Sequence, residues 1–498
     1  MYIFLRNNDY RYAAEQMLLM LFPEERPVYP SADLGLREEN AVELELKHGK
    51  TYTTAVCRLR YDRRTAQDHV RARTDGIRAG EEKARIEQRI LKLAFYRAAL
   101  DVGVPKPEWG CLTGVRPAKF LAGLMQKDGL TETAAVRMLT ETFGVSKERA
   151  SLALAAERAA ARAKAALAPQ DVCLYIGIPF CPTRCAYCSF VSVEAPKLLK
   201  SIPDYLNALE QEMRSTAAAV KAAGRRIVAV YIGGGTPTTL SAPELDRLLA
   251  DTKACFDLSA CREFTVEAGR PDTVTEEKLA VLVSHGVNRV SVNPQTMSDA
   301  VLEEIGRHHT AAQVREAVAM VKKFPQLAFN MDLIAGLPGD TPESFSDTVR
   351  EVIALDAENI TVHTLALKKG SRFLTEGTAL PDGKAVGEML GDAREKLEAA
   401  GYAPYYLYRQ KFMSGSFENV GWTKPGYENL YNICIMEELC GILAVGAGGS
   451  TKLTAPGGVV KRLMAPKYPR EYMDRIAHTC AEKDEIVRFY NSEPKGTN

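Results

Sequence analysis

The stretch Tyr175–Phe190 reads YIGIPFCPTRCAYCSF, and its cysteines, Cys181, Cys185 and Cys188, are separated by three and then two residues. The apolar run Cys173–Ile178 just before them predicts a buried strand. Enzymes built as α/β barrels carry their chemistry on loops at the C-terminal ends of the strands. The sequence therefore predicts that the three cysteines lie on such a loop.

Three thiols are too few for a closed structural zinc site or an ordinary iron–sulfur cluster, which take four protein ligands. After Cys188 the next cysteine is Cys255. Three ligands on a four-iron cluster would leave one iron open for a small molecule. The alternatives are a zinc site completed by a distant residue and buried cysteines without a metal. The residues around the loop favour the open cluster.

The composition is that of a globular protein, with 498 residues, 46% hydrophobic residues and a formal net charge of +1. This length predicts two or three domains, and the small net charge argues against nucleic acid or a membrane as a partner. Met1–Arg6 lacks a signal-peptide pattern, and no apolar run is long enough to span a bilayer. Eleven irregularly spaced cysteines do not suggest a disulfide scaffold, so we expect reduced thiols and a cytoplasmic protein.

Residues 1–168 are predicted to form an N-terminal α+β accessory domain. The arginines between Arg58 and Arg85 suggest either an anion- or RNA-binding face or a solvated helix face with matching acidic residues, and we favour the second. Strands are predicted over Met1–Arg6, Ala41–Lys47 and Thr51–Tyr61, and helices over Tyr10–Phe22, Glu81–Leu100, Pro117–Lys127, Thr131–Phe143 and Ser146–Leu167.

Residues 169–370 alternate short apolar runs with helical patterns, which predicts parallel strands joined by crossover helices. Six such units make a partial (β/α)6 TIM-like barrel, an α/β fold whose gap suits a large substrate. The strands are predicted over Cys173–Ile178, Ile227–Ile232, Glu263–Glu267, Arg289–Asn293, Phe329–Ile334 and Ile360–Leu365, and the helices over Tyr205–Ala223, Ala242–Ala254, Glu276–His285, Ala311–Phe324 and Pro342–Leu355.

Residues 371–498 lose this alternation and are predicted to form a C-terminal α+β extension that closes one side of the barrel. Its predicted elements are a helix over Lys384–Ala400, a strand over Tyr405–Arg409, a helix over Tyr427–Leu439 and a glycine-rich turn over Leu443–Ser450.

The cysteine loop resembles that of the radical S-adenosylmethionine (SAM) superfamily. The residues Tyr175-x-x-Ile178-Pro-Phe-Cys181 are similar to those of one branch, the oxygen-independent coproporphyrinogen III oxidases. The segments Trp109–Lys119 and Ala268–Asp272, together with the extra N-terminal domain, resemble the HemZ-type subgroup of that family.

The resemblance implies one 4Fe–4S cluster held by Cys181, Cys185 and Cys188, and one or two molecules of SAM. The run Gly233–Thr238 follows a predicted strand, and glycines there would let the backbone approach a ligand closely. The residues that match SAM-contacting positions of the family are Tyr175, Tyr187, Gly234, Gly235, Thr236, Glu267, Gln295, Arg307, Asp332 and Ala366. An ion pair between Arg307 and Asp332 is the simplest structural alternative for those two residues.

The implied reaction is the oxidative decarboxylation of two coproporphyrinogen III propionates to vinyl groups. SAM would be split to a 5′-deoxyadenosyl radical with an electron from a flavodoxin or ferredoxin, and this radical would abstract the hydrogen atom. The tetrapyrrole substrate carries four carboxylates, so cations should line its pocket. The candidates are Arg270, Lys368, Lys369, Arg409, Lys411 and Lys424.

The chain departs from the oxidases at Phe190, where they carry a fourth cysteine. A sister branch, the heme chaperones, has an aromatic residue there and a His-Asn-x-x-Tyr-Trp segment near its C-terminus. Here the corresponding stretch begins at Tyr431 and reads YNICIM, without that histidine, tyrosine and tryptophan. Cys434, Cys440 or His363 could ligate heme instead, although each is also a candidate core residue. A heme-binding protein and a radical SAM enzyme that modifies RNA are therefore the alternative functions.

Overall fold

The computed structural model describes residues 1–30, 40–77, 80–188, 193–194, 199–367, 371–410 and 414–492. Contacts divide the chain into two compact units, Met1–Leu154 and Ala155–Asn498. The domain boundaries expected after residues 168 and 370 stay a prediction. None of the helices in these described ranges is both long and apolar enough to cross a bilayer.

The first unit contains a four-stranded sheet in the order β1-β2-β3-β4, with β1 parallel to β2 and the other pairs antiparallel. Its strands are β1 (Tyr2–Arg6), β2 (Ala41–His48), β3 (Tyr52–Tyr61) and β4 (Arg64–Arg73). Helix α2 packs on β3 and β4 because its apolar face, which includes Leu91 and Phe95, is buried. The helices are α1 (Arg11–Leu21), α2 (Glu81–Asp101), α3 (Pro117–Lys127), α4 (Glu132–Arg137, continued by a π-helical turn over Met138–Thr142) and α5 (Lys147–Ala165), which runs on into the second unit.

The prediction of a helix face for the arginine-rich segment is wrong, because half of the segment lies in strands β3 and β4 and helix α2 begins at Glu81. Residues along β4 alternate between exposed and half-buried, as expected of an edge strand with charged side chains. The acidic partners do occur: Arg58 pairs with Glu43 and Glu45, and Arg73 pairs with Asp75. This pairing supports the reading of a solvated face over an RNA-binding face.

The second unit is built on an eleven-stranded sheet in the order β13-β14-β12-β11-β10-β9-β8-β5-β15-β16-β17. The strands from β12 to β15 in this order run parallel, which confirms the predicted α/β partial barrel. The predicted barrel strands appear as β5 (Asp171–Ile178), β8 (Arg226–Gly234), β9 (Glu263–Glu267), β10 (Arg289–Ser291), β11 (Ala328–Ala335) and β12 (Asn359–Thr364).

The crossover helices also lie where the sequence predicts them. Three of them begin with capping boxes, Ser241 with Glu244, Thr310 with Gln313 and Thr341 with Ser344, which satisfy the first backbone N–H groups. The helices are α6 (Ile202–Ala222), α7 (Ala242–Cys255), α8 (Glu276–Ser284), α10 (Ala311–Val321) and α11 (Pro342–Ala354), with a short helix α9 (Asp299–Glu304) that the sequence patterns did not predict.

The C-terminal residues extend the barrel sheet at both edges. Strands β13 (Ala403–Tyr408) and β14 (Asn419–Thr423) add to the β12 side in antiparallel fashion. The predicted turn over Leu443–Ser450 is partly wrong, because Gly441–Val445 is a buried strand, β15, that pairs in parallel with β5. The other elements are α12 (Arg372–Glu376), α13 (Gly383–Ala399), α14 (Leu430–Glu437), β16 (Ser450–Ala455), β17 (Val459–Met464), α15 (Pro469–Asp474), α16 (Ile476–Ala481) and α17 (Asp484–Asn491), and a two-stranded ribbon pairs β6 (Phe180–Cys181) with β7 (Val193–Glu194).

Candidate functional site

The cysteine loop leaves the C-terminal end of β5 and is held against the glycine run that ends β8. Gly235 donates its backbone N–H to the carbonyl of Ile178 over 2.8 Å, and Thr236 donates its own to the carbonyl of Phe180 over 2.7 Å. The Thr236 hydroxyl donates to the Cys181 sulfur over 3.6 Å. These bonds place the first loop cysteine directly beside the glycine run.

The far side of the loop is held by buried groups from other segments of the barrel unit. The Arg270 guanidinium is 3% exposed, donates to the Thr183 hydroxyl over 2.6 Å and makes a bidentate ion pair with Asp272. Ala186 donates its N–H to the carbonyl of Ile305 over 3.0 Å and accepts from Ser371 over 3.1 Å. These contacts hold the loop at Thr183 and at Ala186.

Glu267 ends strand β9 and faces the glycine run. Its carboxylate accepts a hydrogen bond from the Tyr231 hydroxyl, and a Cβ atom added to Gly233 would lie 2.8 Å from its Oε2 atom. Burial raises the pKa of Glu267 to about 7. A carboxylate at this place can therefore exchange a proton near neutral pH and can accept hydrogen bonds from a ligand.

Tyr175 lies on the same side of the barrel as Glu267. Its ring stacks on Tyr231 and Tyr431, with centroids 6.4 and 6.3 Å apart, and the rings of Tyr231 and Tyr431 are 4.5 Å apart. A Cβ atom added to Gly234 would lie 3.2 Å from the Tyr175 hydroxyl. The Tyr175 hydroxyl therefore lies against Gly234 of the glycine run.

Gln295 and Asp332 come together through their backbones. Gln295 is buried and adopts φ of 70°, a left-handed conformation that is uncommon for a residue other than glycine. This turn lets Gln295 donate to the carbonyl of Asp332 and accept from Ile334, each over 2.9 Å. Backbone strain of this kind is found at functional sites, where surrounding contacts hold it in place.

The Asp332 carboxylate lies between Asn330 on its own strand, β11, and His363 on the neighbouring strand, β12. It accepts from Asn330 over 2.7 Å and lies 3.8 Å from the Nε2 atom of His363. Burial opposes its ionisation, but the nearby His363 ring and the polar groups of Asn330 and Thr361 together hold the pKa of Asp332 below its usual value. Asp332 is therefore a carboxylate that carries its charge at neutral pH.

Arg307 does not pair with Asp332, so the ion pair considered from the sequence is wrong. Its guanidinium is 8% exposed and donates to the Tyr187 hydroxyl over 3.1 Å and to the carbonyls of Gly269 and Asn293 over 3.3 and 3.4 Å. Ala366 follows β12 between two leucines that pack with Tyr187 in one apolar cluster. Arg307 and the leucines beside Ala366 therefore contact the second half of the cysteine loop through Tyr187.

The loop thiols fit an iron–sulfur cluster by their chemistry and their surroundings. Cys181, Cys185 and Cys188 are half-buried thiols outside any disulfide. A Cβ atom at Gly235 would lie 3.0 Å from the Cys181 sulfur, so glycine keeps that side of the loop clear. Among the described residues, one trio of potential metal-ligand atoms lies within 4.8 Å of one another, and it contains none of the loop cysteines. At least one pair of the loop sulfurs is therefore more than 4.8 Å apart, wider than the edge of about 3.8 Å in a tetrahedral zinc–thiolate site.

The predicted substrate cations that the structure describes are already engaged with the protein. Arg270 holds Thr183 and Asp272, as above. Arg409 is 7% exposed and donates to the carbonyl of Ser416 over 2.7 Å, and Lys424 pairs with Asp356 over 2.6 Å. Lys368, Lys369, Lys411 and the departure at Phe190 lie outside the described residues.

Sequence reasoning missed two features of this site. Tyr231 stands opposite Tyr175 in the β5–β8 register and contacts Glu267, but only the register reveals that pairing. The anchoring role of Arg270 was also missed, because Thr183 is 87 residues away in the chain. A buried arginine in the segment Gly269-Arg270-Pro271-Asp272, flanked by its own carboxylate partner, is the signal that suggests an internal role.

Comparison with known proteins gives consistent results. Residues 175–352 match the model of the radical SAM superfamily, whose members use a 4Fe–4S cluster and SAM. The chain is 38% identical over 382 residues to the oxygen-independent coproporphyrinogen-III oxidase-like protein HemZ of Bacillus subtilis, covering 76% of each chain. It is 32% identical over 302 residues to the heme chaperone HemW of Haemophilus influenzae, covering 60% of this chain and 75% of that one.

A solved structure supports the same fold. Coproporphyrinogen III oxidase (HemN) from Escherichia coli, a radical SAM enzyme, superposes with a TM-score of 0.52 at 20% identity, covering 66% of this chain and 81% of that one. The partial barrel, the three-cysteine loop beside the glycine run and the extended similarity to HemZ agree with one another. The chain belongs to the radical SAM superfamily, in the family of oxygen-independent coproporphyrinogen-III oxidase-like proteins.

Proposed function

We propose that this chain is a radical SAM enzyme that converts propionate side chains of coproporphyrinogen III to vinyl groups without oxygen, giving protoporphyrinogen IX. The observation that carries the proposal is the attachment of the cysteine loop to the glycine run through Gly235 and Thr236. The substrate class rests on the 38% identity to a coproporphyrinogen-III oxidase-like protein.

In this proposal the chain's residues bind and orient the reacting groups. Cys181, Cys185 and Cys188 would hold the 4Fe–4S cluster, and the backbone of Gly234 and Gly235 would lie against SAM. When bound, the cluster and SAM supply a carbon radical that abstracts a hydrogen atom. Tyr175, Thr236 and Glu267 line one side of the proposed SAM site, and the Glu267 carboxylate suits hydroxyl donors. Tyr187, Gln295, Arg307, Asp332 and Ala366 line the other.

The proposed reaction balances for each propionate. A hydrogen atom leaves the β-carbon, the bond between the α-carbon and the carboxylate breaks, carbon dioxide departs and a carbon–carbon double bond remains. The hydrogen atom ends on 5′-deoxyadenosine, and one electron passes to an external one-electron acceptor. The electron that starts each turnover comes from a reduced flavodoxin or ferredoxin. Two propionates react in each substrate molecule.

Binding of heme is the second candidate, because the chain is also similar to HemW heme chaperones. A heme ligand must be reachable from solvent. Cys434 and Cys440 are 0% and 7% exposed and lie in the core, and the half-buried His363 is the accessible one of the three predicted ligands. The burial of Cys434 and Cys440 favours the enzyme over the heme chaperone. The chaperone hypothesis therefore depends on His363.

The test is anaerobic incubation of the reconstituted chain with SAM, dithionite and coproporphyrinogen III. We expect methionine, carbon dioxide and protoporphyrinogen IX, and none of the three from Cys181→Ala. SAM cleavage without tetrapyrrole products would refute the proposed substrate. Stoichiometric heme binding that His363→Ala abolishes, in a chain without turnover, would support the chaperone instead.

A further inference from the structure

Three other cysteines meet in the core of the second unit. Cys173 lies on β5, Cys434 on α14 and Cys440 just before β15, and the sulfurs of all three lie within 4.8 Å of one another. The sulfurs of Cys173 and Cys440, which are 267 residues apart in the chain, are separated by 3.7 Å. All three residues are buried, at 0%, 0% and 7% exposure. The fold therefore assembles a compact trio of thiols from three separate segments.

This trio is distinct from the cysteine loop. Cys173 lies in the first half of β5, whereas the loop begins after Ile178 at the other end of the strand. Five residues of strand span about 17 Å at about 3.3 Å per residue. The two groups of thiols are thus too far apart to share one cluster.

The spacing of the sulfurs matches a single metal ion. With metal–sulfur bonds of about 2.3 Å, a tetrahedral site holds its sulfurs about 3.8 Å apart and a planar three-coordinate site about 4.0 Å apart. Both values fall under the 4.8 Å limit, and the measured Cys173–Cys440 distance is 3.7 Å. An ion could therefore bind without a large movement of the chain.

The surroundings specify a soft ion. The trio is packed in an apolar cluster with Val228, Ala229 and Ile442. Within the described residues, no histidine nitrogen, carboxylate oxygen or fourth thiol joins the group. An all-sulfur ligand set selects ions such as Zn²⁺ and Cu⁺ over Mg²⁺, Ca²⁺ or Mn²⁺, which prefer oxygen.

Metal binding to the trio would release the thiol protons, because thiolates are the form in which cysteines bind a metal ion.

We propose that Cys173, Cys434 and Cys440 form a buried three-thiolate site for one thiophilic metal ion, Zn²⁺ or Cu⁺. Such an ion would link the first barrel strand to α14 and β15, and so fasten the C-terminal residues to the barrel. The site does not depend on the proposed reaction, since it uses none of the loop cysteines.

The test uses the full chain carrying Cys181→Ala, Cys185→Ala and Cys188→Ala, which removes the loop thiols as competing ligands. The chain is refolded anaerobically with Zn²⁺ or with Cu⁺, desalted, and analysed for metal by mass spectrometry. We expect one ion per chain in at least one arm. Adding Cys173→Ala, Cys434→Ala and Cys440→Ala should abolish it, whereas adding Cys57→Ala, which removes a buried cysteine of the first unit, should not.

X-ray absorption on the chain with the intact trio needs no further variant to fold. It should show three sulfur neighbours at about 2.3 Å from the ion. Less than one tenth of an ion per chain in both metal arms, with all eight remaining thiols of the eleven titrating after denaturation, would overturn the proposal. A Cys173–Cys440 disulfide in anaerobically purified chain would overturn it as well. Failure of coproporphyrinogen turnover alone would leave both results unchanged.

Discussion

Replacing Gly235 with alanine tests the contact between the glycine run and the cysteine loop. A Cβ atom there would lie 2.5 Å from the carbonyl oxygen of Phe180, 2.9 Å from its carbonyl carbon and 3.0 Å from the Cys181 sulfur. Ordinary contact begins at 3.4 Å, so the loop backbone must retreat by about 0.9 Å. Such a movement displaces the first cysteine and weakens the hydrogen bonds on either side of Gly235.

Overpacking of this kind costs about 1–3 kcal/mol. If that cost falls on the geometry that binds the cluster, cluster affinity drops about 5- to 150-fold. The assays are iron and sulfide content after anaerobic reconstitution at limiting iron, and the rate of SAM cleavage. We expect both to fall in Gly235→Ala, while the far-ultraviolet circular dichroism stays that of the unchanged chain.

Gly391→Ala is the matched control. Gly391 lies within α13, and a Cβ atom there would meet nothing within 4 Å. This change should stabilise the helix by about 0.5–1 kcal/mol and leave iron content unchanged. The reasoning is refuted if Gly235→Ala binds iron and cleaves SAM as the unchanged chain does, because the loop would then yield without cost.

Three further predictions concern buried charges. Glu267→Gln should remove a pH dependence of stability, because the pKa of Glu267 in the folded chain, about 7, lies above the ordinary 4.5. Ionisation of Glu267 therefore disfavours the folded apoprotein, so the melting temperature of the unchanged chain should fall between pH 5 and 8 and that of the variant should not. Equal profiles of melting temperature against pH would contradict this. Arg270→Met should lower the free energy of unfolding by about 1–3 kcal/mol and increase proteolytic cleavage at the cysteine loop, because Thr183 and Asp272 lose their partner. Arg262→Met is the control and should have little effect on either, because Arg262 is half-exposed. Glu212→Ala should destabilise the second unit by about 3–5 kcal/mol, because a fully buried carboxylate is lost from its partners. Glu212 pairs with Lys483 over 2.6 Å and accepts from the Tyr472 hydroxyl over 2.5 Å. A calorimetric melting temperature within about 1 °C of that of the unchanged chain would contradict this prediction.

Much of the barrel could be predicted from the sequence because its signals are local. The strands β5, β8, β9, β11 and β12 are short apolar runs, and the helices between them carry capping residues and a period near 3.6. Cys181, Cys185 and Cys188 could be assigned to a loop because their spacing is a property of one short stretch. The prediction failed where the local signal was ambiguous.

Two segments show this ambiguity. Strand β4, Arg64–Arg73, is polar on both faces at a sheet edge, so its charges suggested a helix face. Strand β15, Gly441–Val445, is a short apolar run before glycines, and its partner β5 lies about 270 residues earlier. The pairing that stabilises each strand is not encoded in its own residues.

The sequence by itself determined the fold class, the cysteine loop and the glycine run, because each depends on neighbours within about one strand or helix. Only the tertiary structure decided that Arg270 anchors the loop, that Arg307 contacts Tyr187 and not Asp332, and that Cys173, Cys434 and Cys440 meet. Those contacts join segments tens to hundreds of residues apart. They follow from strand order and register, which fix which side chains share a space once the sheet has formed.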